Sequence, residues 1–110
     1  EEIKREETIK EASATIKLDT FGFSRMAMGP QGRRIAIGEQ KRTKARIGNL
    51  DLAVIRIIDL GTGKVLNTFD QIERRGNGNL SVTTLAWKPD GFMIAAGLDD
   101  GTIRIFKTPK

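Results

Sequence analysis

Residues 82–107 read VTTLAWKPDGFMIAAGLDDGTIRIFK, and the fold turns on this stretch. Three short runs, Val82–Trp87, Phe92–Gly97 and Thr102–Phe106, alternate apolar with small or polar residues. That two-residue period is the mark of a strand with one buried face. Between the runs stand Pro89-Asp90-Gly91 and Asp99-Asp100-Gly101. In each, the Asp side chain is able to bond backbone N–H groups just ahead of it, and the Gly accepts a left-handed conformation. The stretch therefore predicts three antiparallel strands joined by two tight turns.

The same pattern continues upstream. Ala14–Asp19, Phe23–Met28, Arg34–Gly38, Val54–Ile58 and Val65–Phe69 are further alternating runs, punctuated by Gly29-Pro30-Gln31-Gly32, Gly61-Thr62-Gly63 and Gly76–Asn79. No segment after residue 13 carries the 3.6-residue period of a buried helix. Residues 1–12 (EEIKREETIKEA) are a charged arm. Glu6 and Lys10 have helical spacing, but a helix this short is marginal in water.

Sliding the chain along itself exposes a repeat. At a shift of 59, Gly29-Pro30-Gln31-Gly32 falls on Lys88-Pro89-Asp90-Gly91, Met26-Ala27-Met28 on Leu85-Ala86-Trp87, and Ile35-Ala36-Ile37-Gly38 on Ile94-Ala95-Ala96-Gly97. Beyond these the shift becomes 48, placing Val54–Ile58 (VIRII) on Thr102–Phe106 (TIRIF). The eleven-residue difference marks an insertion at 40–50 (QKRTKARIGNL) in the first copy. The chain divides on this reading into an arm at 1–12, a first repeat at 13–59 and a second at 60–110.

The second copy closely resembles a WD40 repeat, in its apolar strand, aromatic, Pro-Asp-Gly turn, Ala/Gly strand, Asp-Gly turn and final apolar strand. The resemblance spans residues 14–108 and is weaker in the first copy. The family's naming Trp-Asp pair is Phe106-Lys107 in the second copy and Ile58-Asp59 in the first, and the Gly-His pair is missing from both. Asp100 stands at the family's structural Asp, whose usual partner is that His, so its network must be absent or rebuilt, with backbone N–H groups of its own turn as one source of donors. The implied fold is all-β: two four-stranded antiparallel propeller blades, part of an incomplete or multi-chain ring. The family's repeats run outer, inner, middle, middle strand, so the last blade is expected to lack its outer strand. Propellers close with typically 4–8 blades, and stacked repeats bury their faces only against neighbours. Three solutions follow: a piece of a longer propeller, assembly with copies of itself, or blades supplied by another chain. The start at Glu1 without Met agrees with a fragment or a processed chain.

Composition narrows the function. The 110 residues include no Cys and no His, which removes thiol nucleophiles, Cys-ligated metals and the Ser-His-Asp triad. No nucleophile–base pair or cofactor motif is visible, and no calcium-loop spacing. The chain is read as a non-catalytic protein–protein interaction scaffold, intracellular in the cytoplasm or nucleus, with no cofactor. No apolar run approaches the roughly 18–20 residues of a membrane span, and no signal peptide is seen.

Charge gives the reading a location. Nineteen Lys and Arg face fourteen Asp and Glu, a net charge of +5. Residues 1–20 hold four basic and six acidic groups, so the excess lies downstream. The insertion carries Lys41, Arg42, Lys44 and Arg46 with no acid, and the 70–80 connection carries Arg74 and Arg75. These six form the candidate partner-binding set, on loops that would share one rim if both opened on the same face. An acidic protein surface is the leading partner. Anionic lipid (a phosphoinositide) or nucleic acid is the alternative. Arg74-Arg75-Gly76 resembles the Arg-Arg-Gly motif of the phosphoinositide-binding propellers of autophagy, but Glu73 replaces an apolar residue there and opposes anion capture. Trp87 is read as a packed aromatic at its strand end.

Overall fold

The computed structural model describes residues 15, 23–44, 48–70, 72 and 78–108. Among them are seven strands: β1 (Phe23–Met28), β2 (Arg34–Lys44), β3 (Asn49–Asp59), β4 (Val65–Phe69), β5 (Val82–Trp87), β6 (Met93–Leu98) and β7 (Ile103–Lys107). There is no α-helix among the described residues, only a 3-10 turn at Pro30–Gly32. The arm at 1–12 and the expected strand Ala14–Asp19, Thr15 apart, lie outside the described residues.

All pairings are antiparallel. One sheet has the order β1-β2-β3-β4, the other β5-β6-β7. The sheet boundary does not follow the repeat boundary, because β4, the first strand of the second repeat, pairs with β3 of the first. This is the outer, inner, middle, middle phase. The second sheet has three described strands where the sequence led us to expect four-stranded blades, and β7 stands at its edge.

The repeat seen in sequence is also a repeat of hydrogen bonds. The Gly29 N–H donates to the Arg34 carbonyl at 2.8 Å and, 59 residues on, the Lys88 N–H donates to Met93 at 2.9 Å. Ala27 pairs with Ala36 as Ala86 pairs with Ala95. Gly32 and Gly91 both take positive φ, as turns of this sharpness require.

Strand alternation gives each sheet two faces, and the sheets meet through one of them. Ala53, Ile55 and Ile57 of β3 and Ala36 of β2 point at the second sheet, where they pack with Val82, Ile94, Ala96 and Leu98. Phe69, Leu85 and Trp87 fill in around them, and Ile72 and Leu80 from the connection between the sheets complete the core. Small residues sit where the backbones come closest. A Cβ on Gly38 would stand 2.8 Å from Val82 Cβ, and one on Gly29 would stand 3.2 Å from the Trp87 ring. The Trp87 indole N–H crosses the gap to the Ala27 carbonyl at 2.8 Å. The expected packed aromatic is thus also a polar tie between sheets, as buried Trp N–H groups usually find an acceptor.

The family's His-dependent network is rebuilt locally. The Asp100 side chain is wholly buried, 0% exposed. Its Oδ1 accepts from the Thr102 N–H at 3.1 Å and the Thr102 hydroxyl at 2.5 Å. Its Oδ2 lies 3.4 Å from Arg104 Nη2, and Arg104 Nε donates to the Thr102 hydroxyl at 3.0 Å. An Asp, a Thr and an Arg within five residues stiffen the last hairpin without a His.

Two predictions follow from this packing. Gly38→Ala should cost about 1–3 kcal/mol by overpacking against Val82, read as a lower urea midpoint. Adding Val82→Ala should return part of it, and an unchanged midpoint for Gly38→Ala would contradict the close approach. Asp100→Ala should cost about 2–4 kcal/mol by leaving buried donors without their acceptor, with Asp100→Asn milder. Equal midpoints for all three proteins would show that the network carries no stability.

Candidate functional site: the basic ribbon

In its described residues the insertion is mostly strand, not loop. β2 and β3 stay paired from Arg34↔Asp59 through to Lys44↔Asn49. β1 accompanies β2 only as far as Glu39, and β4 reaches only Ile55 to Ile58. Among the described residues, 40–44 and 49–53 therefore run on as a two-stranded ribbon beyond the sheet. The reason is local: Lys41, Arg42 and Thr43 meet Leu52, Asp51 and Leu50 in register, and nothing in 40–44 breaks the strand.

A lone two-stranded ribbon is marginal in water, and here its base is braced. The connection between the sheets passes alongside, with the Leu80 N–H donating to the Asp51 carbonyl at 2.9 Å. The Asp51 N–H donates to Asn79 Oδ1 at 2.8 Å, and the Gln40 amide donates to the Ser81 hydroxyl at 2.5 Å. Ser81 is tied onward, its N–H donating to Asp99 Oδ1 at 3.0 Å. The brace thus links the ribbon to the β6–β7 turn of the other sheet.

Of the six basic candidates, Lys41 and Arg42 are exposed on the ribbon. Alternation sends them to opposite faces: Lys41 stands opposite Leu52, and Arg42 opposite Asp51, with its Nε 3.1 Å from Asp51 Oδ1. Arg42 is thus partly neutralised, although a pair this exposed is weak. Lys44 ends β2, and its side chain lies outside the described residues, as do Arg46, Arg74 and Arg75. Of the six, the described residues place Lys41 and Arg42, on opposite faces of the ribbon.

Sequence reading missed the braces Gln40, Asp51, Asn79 and Ser81. Their roles depend on strand register and on the path of the connection, which no short motif encodes. A usable hint was the alternation of 50–53, which continues Val54–Ile58 backwards. It also passed over Arg25, whose Nε donates to the Thr83 carbonyl at 2.6 Å between the sheets. Among the described residues no cluster of His, Cys, Asp and Glu is placed to hold a metal ion. No described helix is long and apolar enough to cross a membrane.

Comparison with known proteins agrees with this architecture. The family model for the WD40 domain of anaphase-promoting complex subunit 4 matches residues 71–110, the part that contains the whole second sheet. No curated protein matches the chain. The blade-like sheets, the register-true internal repeat and the match over residues 71–110 together support a likeness to the WD40-repeat family, in divergent form.

Proposed function

We propose that the chain is a non-catalytic interaction scaffold inside the cell, in cytoplasm or nucleus, whose blades present the β2–β3 ribbon to an acidic protein partner. WD40 domains are protein–protein interaction modules, and the matching family is named for a subunit of a multi-protein complex. We extend to this chain the coarser role, a component of an assembly. The braced ribbon carries the reading. Its base is held by three polar contacts, so the basic side chains it holds are presented with little ordering cost on binding. Lys41, Arg42, Lys44, Arg46, Arg74 and Arg75 are the proposed contacts, with Asp51 positioning Arg42.

The test is binding of the chain to a poly-glutamate peptide at low salt, beside vesicles of phosphatidylcholine with phosphatidylinositol 3-phosphate, and duplex DNA. Exposed charge contacts contribute about 0.2–1 kcal/mol each, so Lys41→Glu with Arg42→Glu should weaken the peptide complex roughly three- to tenfold. Circular dichroism should be unchanged. Equal peptide binding by the variant would overturn the proposal. Tighter and steeply salt-dependent binding to the vesicles or the duplex would replace it with a phosphate-binding role.

A further inference from the structure

The brace occupies one edge of the ribbon. There the Asp51 N–H donates to Asn79 Oδ1 at 2.8 Å, and the Asp51 carbonyl accepts the Leu80 N–H at 2.9 Å. Both main-chain groups of Asp51 therefore point away from β2. In an antiparallel pair, residues directly opposite each other either exchange both bonds or both turn outward. Arg42 stands opposite Asp51, so its own N–H and carbonyl turn outward at the far edge. Register is unbroken from Arg34 to Lys44, which gives Gln40 and Lys44 the same orientation. The start of β2 confirms the phase: the Arg34 carbonyl, in step with Arg42, accepts the Gly29 N–H on that side at 2.8 Å.

β1 covers this edge as far as Glu39, which pairs with Phe23. From Gln40 to Lys44 no described residue pairs with it. By the rise of a strand the stretch is about 17 Å long, room for five residues of an added strand. Its sequence, QKRTK, has no proline, and its register with β3 has no bulge, the two usual ways of blunting an edge. What it carries is charge. Lys41 and Arg42 are exposed, and residues 40–50 hold no acid. Like charges directly opposite each other are destabilising, so this edge rejects a second copy of itself and favours a strand that brings carboxylates.

We infer that the outer edge of β2 at residues 40–44 is a strand-addition site for an extended acidic segment of another protein. The inference deepens the scaffold reading and rests on its acidic partner, adding that the partner is held by main-chain bonds as well as by charge. In an antiparallel addition, the residues facing Gln40, Arg42 and Lys44 exchange main-chain bonds with them. The residue facing Lys41 occupies a non-hydrogen-bonded position, where side chains stand closest, and there a carboxylate meets the Lys41 ammonium. Arg42 is less available, because Asp51 holds its Nε at 3.1 Å. The phase of the segment is thereby set: its acid faces Lys41, and the residues on either side bond β2. Because the brace fixes the ribbon at its opposite edge, the template is in place before the segment arrives.

The test titrates the full chain at low salt with the acetylated and amidated peptide Glu-Thr-Glu-Thr-Glu-Thr-Glu. At saturation, exchange of the Arg42 N–H should slow by roughly tenfold or more, while the Lys41 N–H, which already faces β3, changes little. Two N-methylated peptides keep every charge. Methylating the Thr nitrogens removes the N–H groups aimed at β2 and should weaken binding roughly tenfold or more, whereas methylating the Glu nitrogens should change it by less than about twofold. Equal binding of the two methylated peptides, or unchanged Arg42 exchange at saturation, would overturn strand addition and leave the acidic-partner reading standing. Slow Arg42 exchange with a doubled mass in the chain alone would also overturn it, assigning the edge to a second copy. Peptide binding that survives Lys41→Glu with Arg42→Glu would overturn the acidic-partner reading and the inference with it.

Discussion

Gly38 and Val82 set how closely the two sheets approach, and most of the molecule depends on that distance. A side chain on Gly38 would collide with Val82 at 2.8 Å. At this spacing the Trp87 N–H reaches the Ala27 carbonyl and Arg25 reaches Thr83. The same approach buries Ile55, Ile57, Ile94 and Ala96 completely. Burying each large aliphatic group contributes about 1.5–3 kcal/mol, and neither sheet has a second described sheet to provide this. The two blades therefore hold one core in common.

The proposed binding ribbon owes its position to what this contact leaves over. The connection between the sheets is drawn in by Ile72 and Leu80, and on its way it braces the ribbon through Asn79 and Ser81. A braced ribbon presents charge at a fixed angle, which a free loop of the same composition does not. The arginines at the shared repeat position show the same economy. Arg104 meets Asp100 in its own turn, while Arg56 meets the buried Glu39 across the strand pair at 3.4 Å. One repeat position thus carries the same cation with two different partners, each local to its blade.

Much of the fold was legible because it rests on short-range signals. β1, β4 and β5 begin and end where the alternation does, and the strands after Asp90-Gly91 and Asp100-Gly101 are displaced by only one residue at their starts. In the first of these turns Asp90 caps the Phe92 N–H at 2.9 Å, and that bond holds its carboxyl below the usual value of 3.8. The pairing of β4 with β3, across the repeat boundary, agrees with the phase of the repeat. The rebuilt Asp100 network was legible only in part. Its own-turn N–H bond was expected, but Arg104 enters through the i,i+4 reach across the turn, which depends on side-chain geometry. The ribbon was misread for a different reason. Basic residues without large apolar neighbours look like solvated loop, and only the pairing partner Asn49–Ala53 reveals the strand. The candidate site was correspondingly less legible than the fold: Lys41 and Arg42 were found, but their separation onto two faces was not.

Because Trp87 is the only tryptophan and sits between the sheets, its fluorescence reports directly on the shared core. The decisive measurement is urea unfolding of the chain followed by Trp87 emission and by far-ultraviolet circular dichroism together. If the sheets depend on one core, emission is blue-shifted in the native state and the two curves coincide in a single transition. An emission change complete while the β signal persists would show the sheets standing independently, and would contradict this account.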